Sequence, residues 1–231
     1  MLALDGVTVR AGAFALGADL TVPSGARVAV MGPSGAGKST LLAGIGGFAR
    51  TSGAISWGGA RIDELPPGRR PVATLFQEGN LFPHLTAARN VGLGIRPDGR
   101  LTPRDRARVA GALSSVGLSG FEDRRPAALS GGQRARVALA RVAVQSRPLI
   151  LLDEAFAALG PALREEMLDR TAGIAEAAGA TMLMVTHLPE DARRVCPLTI
   201  LVMDGRAHPP EPTDAILDDP PPALGNYLGR G

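Results

Sequence analysis

Lysine, cysteine and aromatic residues are scarce in this 231-residue sequence. Lys38 is the only lysine among the 25 lysine and arginine residues, so arginine supplies the rest. Aromatic residues make up 3% of the chain, which argues against recognition of single-stranded nucleic acid by aromatic stacking. The single cysteine, Cys196, excludes an internal disulfide. Because no motif surrounds it, we interpret Cys196 as a packed side chain rather than a reactive thiol.

Long apolar runs and long runs of one charge are also missing. No apolar stretch reaches the ~18 residues that a membrane span requires. The start, MLALDGVTVR, lacks the basic and apolar blocks of a signal peptide. The net charge is +3 and no run of arginines exceeds two, so we expect no nucleic-acid partner. These features predict one globular domain in a reducing, cytoplasmic compartment, and any membrane partner must cross the bilayer itself.

Apolar strand-like runs alternate with helical segments through most of the chain. Residues 2–29 alternate like antiparallel strands, and the runs at 27–31, 72–76, 149–152, 181–186 and 199–203 predict buried strands. Helical patterns extend from about 86 to 144 and from about 161 to 178. This order predicts an α/β fold with a largely parallel sheet. The proline-rich and acidic segment from residue 209 on is expected to wrap the surface or fray.

The segment after the run at 27–31 has the pattern of a phosphate-binding loop, G-x-x-x-x-G-K-[ST]. The loop and the start of the following helix comprise Gly32, Pro33, Ser34, Gly35, Ala36, Gly37, Lys38, Ser39 and Thr40. Glycines let backbone N–H groups turn inward around a phosphate, and a helix that begins near Lys38 directs its positive dipole end at the same anion. Ser39 is placed to offer its hydroxyl to Mg²⁺. The pattern therefore predicts nucleotide binding.

The use of lysine at position 38, in a chain that otherwise uses arginine, has a physical explanation. A guanidinium group is flat and forked and needs lateral room, whereas an ammonium group is a compact charge on a flexible stem. A narrow loop that surrounds a phosphate admits the ammonium group and excludes the guanidinium. We therefore predict that Lys38 contacts the phosphates of the nucleotide.

Polar residues follow three of the predicted strands. Asp153 and Glu154 come after the run at 149–152, and in a parallel sheet that strand end lies beside the phosphate loop. Asp153 is then a candidate Mg²⁺ contact, and Glu154 is a candidate to polarise the attacking water. His187 is a candidate sensor of the γ-phosphate, and Gln77 is a candidate contact for Mg²⁺ or the water. Taken alone, the two acids also fit a solvated turn after a strand.

The segment Leu129-Ser-Gly-Gly-Gln133 predicts a second anion site. Ser130 is a good N-cap for a helix that continues through residues 134–144. A helix start flanked by glycines binds anions. The residues in question are Ser130, Gly131, Gly132 and Gln133. One chain with one nucleotide needs only one such site. A dimer in which this helix faces the nucleotide of the other copy explains the second, and a capped surface helix is the alternative.

Together these motifs resemble the ATP-binding subunits of ABC transporters. In chain order they match the Walker A loop at 32–40, the Q-loop at Gln77, the signature at 129–133, the Walker B residues Asp153 and Glu154, and the switch His187. The resemblance covers residues 1 to about 205. It implies a RecA-like P-loop NTPase core with an N-terminal antiparallel β subdomain, an inserted α-helical subdomain at about 86–145, and a C-terminal tail at 206–231.

The resemblance also implies an ATPase that uses ATP and Mg²⁺. In that family two copies enclose two ATP molecules head to tail, each between one copy's phosphate loop and the other's signature. They drive transmembrane permease subunits from the cytoplasmic face of the inner membrane, and a periplasmic or extracellular substrate-binding protein contributes indirectly. Segments 75–86, 90–94 and 154–164 are similar to the ATPase subunits of thiamine importers. The alternatives are an importer of iron, polyamine or sulfate, a soluble ABC ATPase acting on DNA or ribosomes, and a P-loop kinase.

Three positions depart from the pattern of this family. Ala11 stands where the family has an aromatic residue that stacks on adenine, and Phe14 is the nearest ring. Ala155 replaces a proline after Walker B, and Gly160 replaces the aspartate that ends the D-loop and helps to couple the two sites. We therefore expect either weaker adenine binding or stacking on Phe14, and altered communication between the sites.

Overall fold

The computed structural model describes residues 1–76, 80–221 and 224–225. Within them the strands are β1 (Leu2–Ala11), β2 (Phe14–Val22), β3 (Arg27–Met31), β4 (Arg50–Trp57), β5 (Ala60–Arg61), β6 (Val72–Phe76), β7 (Leu149–Asp153), β8 (Thr181–Val185), β9 (Leu198–Met203), β10 (Arg206–Ala207) and β11 (Glu211–Pro212). The helices are α1 (Lys38–Gly46), α2 (Ala87–Gly92), α3 (Pro103–Ser115), α4 (Gly131–Gln145), α5 (Pro161–Ala177), α6 (Pro189–Val195) and α7 (Thr213–Asp218). Among the residues described, no helix combines the length and hydropathy needed to cross a bilayer.

The sheet has a parallel half and an antiparallel half. Strands β9, β3, β8, β7 and β6 lie side by side in that order and run parallel to one another. Strands β4, β1 and β2 are antiparallel, and the short β10 joins β2 to β9. The predicted α/β fold with N-terminal antiparallel strands is therefore confirmed. Because Asp153 pairs with Val185, the residues that follow β7 and β8 emerge at the same edge of the sheet.

Two apolar clusters cover the two faces of the parallel strands. Alternate residues of β3 show the division, since successive side chains of a strand point to opposite faces. Ala29 and Met31 belong to a cluster that includes buried residues of α3, α4 and α5. Val28 and Val30 belong to a second cluster with α1 and the antiparallel strands. Burial on both faces explains why these strands are continuous apolar runs in the sequence.

Two features of the fold were not evident from the sequence pattern. Strand β4 carries little apolar periodicity and contains Gly53, where a Cβ would lie 2.5 Å from the carbonyl oxygen of Gly6 in β1. The close approach of these two strands thus depends on glycine at position 53. Further along the chain, β10 pairs with both β2 and β9, and Ile216 and Leu217 of α7 are buried. Residues 206–218 therefore pack against the rest of the fold.

Cys196 is a packed thiol at the end of α6. It is buried, and burial raises the pKa of the Cys196 thiol to about 12. The thiolate is the reactive form of cysteine, and it is a negligible fraction at neutral pH with this pKa. The interpretation of Cys196 as a structural residue is confirmed.

Arg70 joins helix α1 to the segment before β6. The side chain is buried, and its guanidinium donates to the carbonyl oxygens of Gly44 and Ile45 in the last turn of α1, each at 2.8 Å. It also donates to the carbonyl oxygens of Asp63 and Leu65 at 2.9 Å. Carbonyl groups in the last turn have no partner within the helix. Arg70 therefore satisfies the carbonyl group of Ile45, adds to the bond that Gly44 accepts from the N–H of Gly47, and opposes the negative end of the helix dipole.

Arg70→Ala is expected to lower the free energy of unfolding by roughly 2–4 kcal/mol, because four carbonyl groups lose a charged donor and the two of α1 stay buried. Arg70→Lys should recover only part of this loss, since a single ammonium group cannot reproduce the fork of a guanidinium. Denaturant unfolding measures both changes, with Arg69→Ala, at an exposed neighbouring position, as the control. Equal losses in Arg70→Ala and Arg69→Ala would contradict the assigned role.

Candidate nucleotide-binding site

Strand β3 leads into a tight loop at the carboxyl edge of the parallel strands. At Gly32 (φ 149°) a Cβ would lie 2.0 Å from the carbonyl oxygen of Val202, so the loop can follow this path only with glycine there. Gly35 and Gly37 have φ of 77° and 105°, which is the left-handed region that glycine adopts without strain. Helix α1 begins at Lys38, and its N-cap, Gly37, has no side chain that could occupy the first backbone N–H groups. Its first backbone N–H groups therefore suit an anionic ligand.

The only lysine of the chain lies inside this loop, as the sequence predicted. The Lys38 side chain is buried, and its Nζ donates to the carbonyl oxygens of Gly32 and Pro33, both at 2.9 Å. Burial lowers the pKa of Lys38, while the nearby carboxylates of Glu154 and Asp153 raise it. The ammonium group thus donates to the loop carbonyls and is also attracted by the two acids that follow β7.

The end of β7 reaches the start of α1, as the parallel-sheet argument predicted. Strand β8 separates β7 from β3, yet the Ser39 Oγ donates to Asp153 Oδ1 at 2.7 Å. Burial raises the pKa of Asp153, and the hydrogen bond from Ser39 opposes that rise. Mg²⁺ commonly takes one or two oxygen ligands from a protein and fills its octahedron with water and phosphate oxygens. A hydroxyl and a carboxylate facing each other beside a phosphate loop fit that requirement.

Glu154 directly follows β7 in a left-handed backbone conformation, with φ of 47°. Such values are uncommon outside glycine and concentrate at functional sites. The backbone N–H of Ala157 donates to the carbonyl oxygen of Glu154 at 3.2 Å, which closes a turn. Glu154 is half-buried and lines a cavity of about 20 Å³ together with Thr186 and His187. The turn thus places Glu154 next to the end of β8.

The structure brings most of the predicted strand-end residues to one edge of the sheet. Thr186 and His187 follow β8, which lies between β3 and β7, and His187 is exposed. The residues assembled at this edge are Lys38, Ser39, Asp153, Glu154 and His187. Gln77 lies outside the described residues. The strand before it, β6, ends at Phe76, which pairs with Asp153.

The predicted signature segment opens helix α4, which begins at Gly131 directly after the predicted N-cap. Ser130 is the N-cap, as expected: its Oγ accepts from the backbone N–H of Gln133 at 3.2 Å, and Gln133 Oε1 accepts from the N–H of Ser130 at 2.9 Å. Gly131 is exposed. At Gly132 a Cβ would lie 2.3 Å from Cδ2 of Leu163 in α5, so glycine is what allows α4 to approach α5 so closely.

Phe14 lies against the phosphate loop. It pairs with Ala11 across the β1–β2 hairpin, and a Cβ at Gly37 would lie 2.8 Å from Cε1 of the Phe14 ring. The ring therefore covers the residue directly before Lys38. Ala11 itself is exposed.

Sequence reasoning missed a charged pair near this edge. The Nε of Arg164 in α5 lies 3.1 Å from Oδ1 of Asp191 in α6. From the sequence alone, Asp191 would be explained as an acidic residue in the first turn of a short helix, where its charge suits the helix dipole. No pattern in the sequence links it to Arg164, because the pairing depends on how two helices pack.

The sequence matches known proteins over nearly its whole length. Residues 16–157 match the family model described as ABC transporter. The chain is 57% identical, over 99% of its own length and 100% of the relative's, to the Thiamine import ATP-binding protein ThiQ of Cereibacter sphaeroides. It is 49% identical, over 98% of its length and 95% of the relative's, to the protein of the same name from Brucella suis biovar 1.

Solved structures agree with these matches. The dimeric structure of MJ0796, a bacterial ABC transporter cassette, has a TM-score of 0.79 to this chain at 30% identity, covering 92% of this chain and 99% of the other. A dimeric post-hydrolysis state of MJ0796 bound to ADP and Pi has a TM-score of 0.78, with the same identity and coverage. The chain therefore belongs to the ABC transporter family, and its fold is that of the ATP-binding cassettes.

Proposed function

We propose that this chain is the ATP-hydrolysing subunit of a membrane importer for thiamine or its phosphates. The observation that carries the proposal is the meeting of Lys38, Ser39, Asp153, Glu154 and His187 at one edge of the sheet. The cargo is proposed from the full-length relatives, which are named thiamine import ATP-binding proteins. Their identity to this chain, 57% and 54%, favours thiamine over iron, polyamine or sulfate as the imported solute.

The phosphate loop binds the terminal phosphates of ATP. Inward-turned backbone N–H groups and the start of α1 contact the anion, and Lys38 exchanges its bonds to Gly32 and Pro33 for phosphate oxygens. The Ser39 hydroxyl and the Asp153 carboxylate would hold Mg²⁺, with Gln77 as a further proposed contact. When bound, Mg²⁺ neutralises phosphate charge and orients the phosphates for in-line attack.

Hydrolysis needs a group that orients water and a group that contacts the γ-phosphate. Glu154 polarises the attacking water and accepts its proton as the new bond to phosphorus forms and the bond to ADP breaks. His187 contacts the γ-phosphate from the end of β8. The shared cavity of Glu154 and His187 supports this division of roles.

We also propose that two copies close head to tail around two ATP molecules, with the signature of each facing the nucleotide of the other. The capping box uses the Ser130 hydroxyl and the Gln133 amide oxygen, while the N–H groups of Gly131 and Gly132 belong to the first helical turn and have no partner within the helix. These groups suit a phosphate presented by a second copy. The dimeric cassette structures support this arrangement.

The chain is proposed to act as a peripheral subunit at the cytoplasmic face of the inner membrane. Permease subunits cross the bilayer, and a substrate-binding protein delivers the solute on the far side. The surface after Gln77 suits a permease contact, because Phe82 is 47% exposed and its ring stacks edge-on against His84. Buried Asn90 donates to the carbonyl oxygen of Phe82 and accepts from its backbone N–H. Asn90 thus fixes the backbone at Phe82, and exposed aromatic residues such as this one are enriched at protein interfaces.

Purification from membranes with the native permease, followed by reconstitution into vesicles together with the substrate-binding protein, tests this function. We expect ATP-driven uptake of labelled thiamine that is lost in Lys38→Ala. Competition by iron, spermidine or sulfate tests the other importers directly. Uptake of one of these solutes in place of thiamine would change the cargo assignment. ATPase activity stimulated by DNA or ribosomes, with no permease recovered, would instead favour a soluble ABC ATPase.

Phe14→Ala is expected to raise the KM for ATP by roughly tenfold, since stacking of a base on an aromatic ring contributes about 1–3 kcal/mol. Phe14→Leu keeps the apolar contact with Gly37 and removes the ring, so it should raise the KM as well, whereas Phe14→Tyr should not. Steady-state kinetics of ATP hydrolysis measures all three variants. An unchanged KM in the alanine and leucine variants would discard Phe14 as the adenine contact, and an increase in the alanine variant alone would assign it to loop packing.

A further inference from the structure

Helix α5 is fixed against the helix that carries the signature. Leu163 packs on Gly132, where glycine leaves room for it. Glu166 accepts hydrogen bonds from Nη2 of Arg136 at 2.9 and 2.8 Å through its two carboxylate oxygens. Arg170 donates to the same carboxylate at 2.8 Å. Packing in the first turns and charge in the second turns therefore join α4 to α5.

The same turns of α5 also reach the loop that carries His187. The Nε of Arg164 lies 3.1 Å from Oδ1 of Asp191, and the two side chains are 15% and 9% exposed. Thr186 Oγ1 lies 3.4 Å from Oδ2 of Asp191, and the same hydroxyl accepts from the backbone N–H of Leu188 at 3.1 Å. Thr186 and Leu188 flank His187 in the chain. Asp191 thus holds the turn around His187 through the Thr186 hydroxyl, and Arg164 holds Asp191.

Removing the cation would leave a largely buried carboxylate without its partner. Burial raises the pKa of Asp191, and the charge of Arg164 opposes that rise. Glu190 lies 3.7 Å from Arg164 but is 62% exposed, so Asp191 is the principal partner. A buried charge that loses its partner either gains a proton or moves to solvent. Either change alters the contact with Thr186 and displaces the turn that contains His187.

We propose that Arg164 is a positioning residue for ATP hydrolysis, which fixes the His187 turn to helix α5 through Asp191 and Thr186. The inference rests on the proposed function, in which His187 contacts the γ-phosphate. Because α5 also holds the start of α4, one rigid helix connects the signature to the switch histidine of the same chain. Helix α5 begins after Gly160, which has no side chain to cap the helix and stands where the family has an aspartate. The side chains of α5 therefore link the two sites without the D-loop carboxylate.

Arg194 offers a matched control for the experiment. It also joins α6 to α5 by ion pairs, at 2.8 Å to Asp169 and 2.9 Å to Glu165. Its two partners are exposed residues of α5. Arg164→Gln and Arg194→Gln therefore remove the same kind of link between the same two helices. Only Arg164 contacts Asp191 directly, whereas Arg194 acts on that carboxylate through its charge alone.

Arg164→Gln is expected to lower kcat roughly 10- to 100-fold, because a displacement of about 1 Å in a catalytic group has an effect of this order. The KM for ATP and the Kd for a fluorescent ATP analogue should stay unchanged, since the phosphate loop is not altered. Arg194→Gln should leave kcat, KM and Kd at wild-type values. Asp191→Asn should reproduce the loss of kcat, and the double variant Arg164→Gln, Asp191→Asn should be no slower than either single variant.

Thermal unfolding of each variant separates positioning from stability. Should Arg164→Gln fail to fold, Asp191→Asn and Arg164→Lys carry the test, and Arg164→Lys should show an intermediate kcat with an unchanged KM. A kcat in Arg164→Gln and Asp191→Asn equal to that of Arg194→Gln overturns the inference, as does a loss that appears only as weaker nucleotide binding. If the wild-type chain neither binds nor hydrolyses ATP, the proposed function itself fails, and the role of Arg164 fails with it.

Discussion

Lys38→Ala is expected to reduce kcat/KM for ATP hydrolysis by about 10²- to 10³-fold or more, because one preorganised charge on the transferred phosphate is worth at least that much. The ammonium group lies inside the loop, 2.9 Å from two carbonyl oxygens and close to the acids that follow β7. No second lysine exists in the chain to substitute for it. Release of inorganic phosphate from ATP by the purified subunit measures the effect.

Lys38→Arg tests whether shape or charge matters at this position. Arginine keeps the positive charge but brings a flat fork that needs more lateral room than the loop provides. We therefore expect Lys38→Arg to be almost as inactive as Lys38→Ala. Thermal unfolding should show that both variants are folded at the assay temperature. Wild-type turnover in Lys38→Arg would refute the steric explanation for the single lysine, and wild-type turnover in Lys38→Ala would refute the site.

Glu154→Gln is expected to bind ATP normally and to hydrolyse it about 10²- to 10⁴-fold more slowly, since general acid–base catalysis contributes this much and an amide cannot accept the proton. Glutamine keeps the size of the side chain at a position whose φ of 47° is already unusual. Because hydrolysis is what reopens the proposed dimer, the ATP-bound variant should accumulate as a dimer. Gel filtration with and without ATP measures that shift.

Glu176→Gln is a suitable control for the loss of a carboxylate, because the Glu176 side chain is 77% exposed on helix α5. It should remain active and should not accumulate as a dimer. Normal hydrolysis by Glu154→Gln would show that another group activates the water, and the assignment of Glu154 would be withdrawn.

The parts of the fold that the sequence predicted are those determined by residues that are close together in the chain. The strands at 27–31 and 72–76 have the predicted bounds, because strands buried on both faces are continuous apolar runs bounded by turn residues. The start of α1 followed from the phosphate-loop pattern, and the Ser130 N-cap followed from its side chain. In each case the information is local in the sequence.

The parts that the sequence did not predict depend on contacts between distant segments. The hydrogen bond from Ser39 to Asp153 was expected in general terms, but the insertion of β8 between β3 and β7 was not. Arg70 lies in a proline-rich turn whose composition gives no sign of the helix end that it caps. The pairing of Arg164 with Asp191 exists only once α5 and α6 have packed.

Equilibrium binding of ATP in the presence of Mg²⁺ tests the central claim most directly. The measurement compares the folded wild-type subunit with Lys38→Ala, with radiolabelled nucleotide at several concentrations. We predict saturable binding of one ATP per wild-type chain and a large loss of affinity in the alanine variant. Wild-type protein that is folded and yet retains no Mg-ATP would contradict the account, because every later step assigned to this chain begins with that nucleotide.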